Sequence, residues 1–117
     1  MKPYTLESTA AYKALTPEEK AKIVNGAGAA DQWISSFIPN TMYGLDVTEC
    51  FNIHDFDYHV GVSRKDKNVA DRRLLENLMI AINANSGFIM GMLRRRRALK
   101  YYEAVHKFGD DAFFKNK

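Results

Sequence analysis

The chain lacks most of the features that would assign its chemistry at a glance. It has one cysteine, Cys50, so no internal disulfide can form, which suits a reducing compartment. Histidines number three, and none precedes His54, which argues against phosphohydrolases built on several upstream histidines. His54 and His59 stand five apart rather than four, so they do not converge on one zinc ion. No GK[ST] follows the glycines at 26 and 28, and no strand pattern precedes them, which argues against a phosphate-binding loop. The longest apolar run, 78–93, is broken by Asn83, Asn85, Ser86 and two glycines and is too short to span a bilayer. The N-terminus, Met1 to Glu7, has no apolar signal core, so cytoplasmic synthesis is expected. Repeats and low-complexity linkers are also missing. The net charge of +3 is milder than a dedicated nucleic-acid binder usually carries.

What is present is enough for one compact domain spanning 1–117: 117 residues, 46% of them apolar. The distinctive stretch is Cys50-Phe51-Asn52-Ile53-His54-Asp55-Phe56-Asp57-Tyr58. In a helix, Phe51, His54, Asp55 and Tyr58 fall at i, i+3, i+4 and i+7 and share one face. An imidazole, a carboxylate and a phenol then occupy positions where an amphipathic helix places core residues. Burying them costs free energy unless each finds a partner.

Residues 1–15 read as weakly helical. Thr16-Pro17-Glu18-Glu19 is a helix start, with Thr16 capping, Pro17 at the first helical position and Glu19 completing a capping box. That helix should stop near Gly26. The small residues that follow, through Gly28 and Ala30 to Asp31, let the backbone approach a ligand closely or simply make a loop. Trp33, Ile34, Phe37 and Ile38 suggest a short amphipathic turn on the core, and Pro39-Asn40 and Tyr43-Gly44 read as turns. A central helix is predicted from a cap at Asp46 or Thr48 to Gly61. A loop over 63–68 and a second helix from about Asn68 to Asn83 should follow, the latter with the stripe Asp71, Leu74, Leu75, Leu78 and Ile82. A third helix is predicted after Ser86 to about Lys107, with the Phe113-Phe114 tail packing back.

Asp71 is an acid at the head of an apolar stripe. A short loop makes the central and second helices antiparallel neighbours. At ~1.5 Å per residue, His54 and Asp71 then come to nearly the same height. A His54–Asp71 pair satisfies both groups, and Tyr58 can donate to Asp71 as well. Asp55 points ~100° around the helix from His54 and faces another neighbour, which could be a cation. Calcium, which accepts 6–8 oxygen ligands including backbone carbonyls, suits that position.

His54-Asp55-x-x-Tyr58, the upstream glycine-rich segment and the downstream helix bearing Asp71 resemble the calcium-dependent phospholipase A2 family. The resemblance is closest to its small prokaryotic and phage-associated members and covers roughly 20–83. It implies an all-α, phospholipase A2-like fold, with two antiparallel core helices carrying the His–Asp pair plus N-terminal and C-terminal helices. It implies that His54 is the general base, Asp71 its orienting acid and Tyr58 the support of Asp71. It further implies Ca²⁺ held by Asp55 and the carbonyls of Gly26, Gly28 and Ala30, with the Gly28 amide helping to stabilise the oxyanion. The substrate implied is a phospholipid at a membrane or micelle surface, reached by a non-classical or phage-associated route. The chain departs from the secreted enzymes in a longer loop-to-His spacing and in its lone cysteine, so packing must hold the loop.

Rival readings remain at this point. His54, Asp71 and Tyr58 can form a buried network that only orients helices. A noncatalytic phospholipase-like interaction module with a basic helix is the alternative function. His59 and His106 show no partner in the sequence pattern. Arg94-Arg95-Arg96-Arg97, about 100° apart on a helix, read as a solvated belt with local ion pairs. Anionic-lipid contact by this run is a hypothesis, and nucleic acid is the weaker option. Cys50 lies a turn from His54, on an apolar flank without an activating charge.

Overall fold

Glycine and serine punctuation marks the helix ends at Gly61 and Ser63, at Ser86 and Gly87, and at Gly109, and the connections at these points are short. The computed structural model describes residues 4–26 and 41–114. In chain order these form α1 (Ala10–Lys13), α2 (Pro17–Gly26), β1 (Thr41–Met42), β2 (Leu45–Asp46), α3 (Thr48–Val60), α4 (Arg64–Asn85), α5 (Phe88–Phe108) and α6 (Asp110–Phe114). The protein is mostly helical, as expected. Among the described residues, no helix is long and apolar enough to cross a membrane.

The capping box at Thr16 forms: its amide donates to Glu19 Oε1 at 3.0 Å, and the Glu19 amide donates to Thr16 Oγ1 at 3.1 Å. Tyr43-Gly44 closes a two-residue hairpin pairing Thr41 with Asp46 and Met42 with Leu45. Both turn residues lie at positive φ, 49° and 85°, the pattern of a type I′ turn. Asp46 then starts α3 from one residue before its cap. Its Oδ1 accepts from the Thr48 amide at 2.9 Å and the Thr48 hydroxyl at 2.6 Å.

The second long helix begins earlier than the sequence pattern predicts. The expected loop over 63–68 is instead the first turn of α4. Ser63 caps it, accepting from the Asp66 amide at 3.2 Å, while Asp66 Oδ2 accepts from the Ser63 amide at 3.1 Å. A capping box needs Glu or Gln at its fourth position in the usual pattern, and Asp66 fills that role here. The extra turn brings Lys67 into the helix, four residues ahead of Asp71.

α4 is the middle layer, packed on one side by α3 and on the other by α5. Its buried stripe, including Leu74, Leu78, Ala81 and Ile82, meets Cys50, Phe51 and Tyr58 of α3 and Ala98, Tyr101 and Val105 of α5. Phe113 of α6 is fully buried and closes one end against Tyr58, their rings 5.1 Å apart and nearly perpendicular. The N-terminal elements are fastened to this stack by polar contacts. Glu49 accepts from the Tyr12 hydroxyl at 2.7 Å and from Lys20 Nζ at 2.8 Å. The buried Asn77 donates to the Glu7 carbonyl at 2.9 Å and accepts from the Glu7 amide.

Candidate active site

α3 is buried on more than one face: Cys50, Ile53, Phe56 and Asp57 are covered as well as Phe51, His54 and Tyr58. Gly61 to Ser63 turn the chain back at once, so α3 and α4 lie side by side. The expected His–Asp pair forms across this seam. His54 Nε2 lies 2.9 Å from Asp71 Oδ1, and the Tyr58 hydroxyl donates to the same oxygen at 2.6 Å. The His54 and Tyr58 rings sit 4.1 Å apart, one turn from each other.

The other oxygen of Asp71 is also taken, by two groups that the sequence pattern does not offer. Lys67 Nζ donates to Asp71 Oδ2 at 2.7 Å, and His106 Nδ1 of α5 lies 3.2 Å from it. Lys67 is fully buried, and its ammonium also reaches the His106 carbonyl at 3.2 Å and lies 3.6 Å from Asp110 Oδ1. The expectation that nothing pairs with His106 is therefore corrected. The signal for Lys67 was its i, i+4 spacing to Asp71, masked by the polar run that reads as a loop.

These donors decide the charge state of Asp71. Burial pushes its carboxyl upward, but His54, Lys67 and Tyr58 outweigh that and hold it down at about 2. An ionised carboxylate only accepts, so the facing nitrogens Nε2 of His54 and Nδ1 of His106 carry the hydrogens. In a neutral ring this leaves Nδ1 of His54 as the acceptor nitrogen. Nδ1 is buried and, among the described residues, has no hydrogen-bond partner. Burial first, and then the negative charge of Asp71, push the Tyr58 phenol far above its ordinary value, so it stays a donor.

A second ion pair flanks the first, with Asp57 buried and Arg73 partly exposed. Asp57 accepts from Arg73 at 2.8 Å, yet burial keeps its carboxyl above the usual range despite the guanidinium. Sequence reasoning missed it because Asp57 falls off the single face assigned to α3. Cys50 is buried, and desolvation followed by the nearby Glu49 charge pushes its thiol up to about 12, so it is no nucleophile.

Asp55 is half-buried on the flank of α3. Among the described residues no group of three or more His, Cys, Asp or Glu side chains could hold an ion. Among the described residues, a cation at Asp55 would thus draw on main-chain oxygens. Of the three assigned, Gly26 is the last residue of α2, where a helix leaves carbonyls without helical partners. Gly28 and Ala30 lie outside the described residues, as do Trp33 to Asn40. One carboxylate with backbone carbonyls is an all-oxygen donor set and fits calcium chemically.

The arginine run is not a uniformly solvated belt. Arg94 lies on the buried stripe of α5 with Gly91, Ala98, Tyr101 and Val105. It donates to the Tyr43 carbonyl at 2.7 Å, the Ser86 hydroxyl at 2.8 Å and the Asn85 carbonyl at 3.2 Å, which clamps the hairpin turn to α5. Arg95 donates to Asn83 Oδ1 at 3.0 Å and Arg97 to the Tyr43 hydroxyl at 2.9 Å. The wrong expectation came from treating four adjacent cations alike, although a helix turns one of every four inward.

Compared with known proteins, the chain matches no family model, no curated protein and no solved structure.

Proposed function

We propose that the chain is a calcium-dependent, phospholipase A2-like hydrolase that cleaves the sn-2 ester of phospholipids. The observation that carries this reading is the His54 ring: Nε2 faces Asp71 Oδ1 at 2.9 Å, and Nδ1 has no hydrogen-bond partner among the described residues. With Nε2–H donated to an ionised Asp71, a neutral ring presents at Nδ1 the acceptor a general base needs. The antiparallel α3–α4 pair with Tyr58 on Asp71 also supports a phospholipase A2-like arrangement.

In this mechanism a water hydrogen-bonded to Nδ1 attacks the ester carbonyl carbon and gives its proton to His54. Asp71 holds the ring and stabilises the imidazolium, and Tyr58 holds Asp71. Collapse of the tetrahedral intermediate breaks the bond to the sn-2 oxygen, which takes the proton back from Nδ1. The products are a fatty acid and a lysophospholipid, and no covalent intermediate forms. Calcium, when bound, supplies positive charge that stabilises the oxyanion; Asp55 and the carbonyls of Gly26, Gly28 and Ala30 would hold it. The Gly28 amide would add a hydrogen-bond donor for the same oxygen.

Fatty-acid release from phospholipid vesicles tests this. It should require Ca²⁺ and fall by roughly 10²–10⁴-fold in His54→Gln, the usual contribution of a general base. Calorimetry should show a calcium site that disappears in Asp55→Ala. Folded protein that gives neither signal removes the hydrolase reading.

A second reading has its own support. His54 has no exposed surface, and Lys67 already neutralises Asp71. Both suit a noncatalytic phospholipase-like interaction module in which the network fixes helix packing. In that case His54→Gln lowers stability and no variant alters lipid.

A further inference from the structure

The outer face of α5 carries a feature that the buried site does not use. A cavity of about 200 Å³ lies between the hairpin turn and α5, lined by Tyr43, Leu93, Arg96, Arg97 and Lys100. Its walls are fixed. Arg94 clamps the Tyr43 carbonyl to the helix, and the Arg97 guanidinium lies 4.9 Å over the Tyr43 ring while donating to its hydroxyl. Arg96 and Lys100 stand at i and i+4, so three cations converge on one cleft. Among the described residues none of the three is paired with a carboxylate. Like charges at this spacing repel, and an anion between them relieves the repulsion. A phosphate matches the guanidinium donors in geometry and charge.

The rest of the same face says where that phosphate comes from. Phe88 and Ile89, at the start of α5, are 82% and 68% exposed, and Met92 and Leu99 are also exposed. At 100° per residue, Phe88, Leu99, Met92, Arg96, Ile89 and Lys100 fall in one sector of about 120°, opposite the buried stripe. Large apolar side chains interleaved with cations make the profile of a helix lying in a lipid interface. Nucleic-acid interfaces are more polar than a face with four large exposed apolar side chains, which favours lipid here.

We propose that the outer face of α5 docks on an anionic phospholipid surface, with the Tyr43–Arg96–Arg97–Lys100 cleft taking a headgroup phosphate and Phe88, Ile89, Met92 and Leu99 entering the acyl boundary. This deepens the lipid-hydrolase reading by naming the docking face, and it concerns binding alone. Turnover is therefore kept out of the test.

Sedimentation with vesicles measures it, using the full chain with His54→Gln in EDTA. Vesicles of phosphatidylcholine with phosphatidylglycerol should retain the protein; phosphatidylcholine alone should retain much less. Each basic residue near an anionic surface contributes roughly fivefold to partition, so Arg96→Ala/Lys100→Ala should weaken binding about thirtyfold. Phe88→Ser/Ile89→Ser should weaken it also at high salt, where screening has removed the charge contribution. Both pairs are solvent-exposed, and an unchanged melting curve shows that the fold survives. Three results overturn the proposal: no retention on anionic vesicles, equal retention of the Arg96→Ala/Lys100→Ala variant, or equally tight binding to a single-stranded oligonucleotide. Displacement by millimolar inorganic phosphate with no role for Phe88 and Ile89 overturns the lipid assignment too. Failure of hydrolysis leaves all these outcomes readable.

Discussion

Lys67→Met removes the one lysine or arginine charge that, among the described residues, touches the buried carboxylate. Methionine keeps most of the stem volume and deletes the ammonium. Asp71 Oδ2 then loses its 2.7 Å partner and keeps only His106 at 3.2 Å, while Oδ1 keeps His54 and Tyr58. Breaking a buried ion pair by removing one partner costs about 3–5 kcal/mol. Three donors stay on Asp71, so the cost should sit near about 3 kcal/mol. For 117 residues, at ~2.1 cal/mol/K each, that lowers the melting temperature by about 12 °C. Asp71→Asn should cost more, roughly 4–5 kcal/mol. Among the described residues it leaves the buried ammonium with a carbonyl at 3.2 Å and Asp110 at 3.6 Å as its polar partners. The double variant should be less damaged than the sum of the singles by about 2 kcal/mol or more.

Urea unfolding followed by circular dichroism measures all four corners of this cycle. A Lys67→Met protein within about 0.5 kcal/mol of wild type, or a coupling below that, would refute Lys67 as the counter-charge. The same variant also separates the two functional readings. With Lys67 in place, Asp71 and Lys67 form a neutral pair, and an imidazolium forming at His54 meets little net negative charge. Removing the ammonium strengthens the attraction between Asp71 and that imidazolium. A hydrolase should therefore turn over faster per folded molecule in Lys67→Met, by severalfold, although it is less stable. An interaction module should lose stability and gain nothing.

The folded-state carboxyl of Asp71 lies below its ordinary value of 3.8, at about 2, so its contribution is whole above about pH 4 and is lost as pH falls toward 2. That is about 2 kcal/mol, read from urea midpoints at pH 5 and pH 2.5. Asp71→Asn should flatten this slope without abolishing it, because Asp46, Glu49 and Asp110 are also held low. Gly109→Ala should cost about 1–3 kcal/mol, because its Cβ would press on the Val105 carbonyl and stand 2.6 Å from the Tyr58 hydroxyl; thermal melts will show it. Arg94→Lys should cost roughly 1–2 kcal/mol, since one ammonium cannot span the Tyr43, Asn85 and Ser86 oxygens. Hydrogen exchange at Tyr43 and Gly44 should rise in that variant ahead of exchange in α4.

Much of the frame was legible because it follows from local rules. The Thr16–Glu19 box, the Tyr43-Gly44 turn and the end of the third helix near Lys107 are short-range signals. The pairing of His54 with Asp71 followed from two helices, a short loop and equal height. What escaped was set by partners far away in sequence. Lys67 looks solvent-bound until Ser63 and Asp66 are seen to start the helix a turn earlier. His106 is 35 residues from Asp71 and meets it only because α5 packs on α4. Arg94 reads as one of four equals until its place on the α5 stripe turns it inward. Periodicity tells which face is buried, but not which polar group on that face another helix will satisfy.

The missed groups change what the expected ones mean. Asp71 gathers hydrogen bonds from His54 and Tyr58 of α3, Lys67 of its own helix and His106 of α5, while Phe113 of α6 backs Tyr58. One carboxylate thus joins three helices directly and a fourth through an aromatic contact. Site and fold cannot be perturbed independently there. A substitution at His54, Tyr58 or Asp71 that abolishes turnover also leaves a buried donor or acceptor unpaired, at about 1–3 kcal/mol for each neutral group. Loss of activity in such a variant identifies a base only when the rate is expressed per folded molecule. Asp55 is half-buried on the flank of α3, and its Asp55→Ala variant needs the same per-folded-molecule treatment before a lost calcium signal is assigned to the carboxylate.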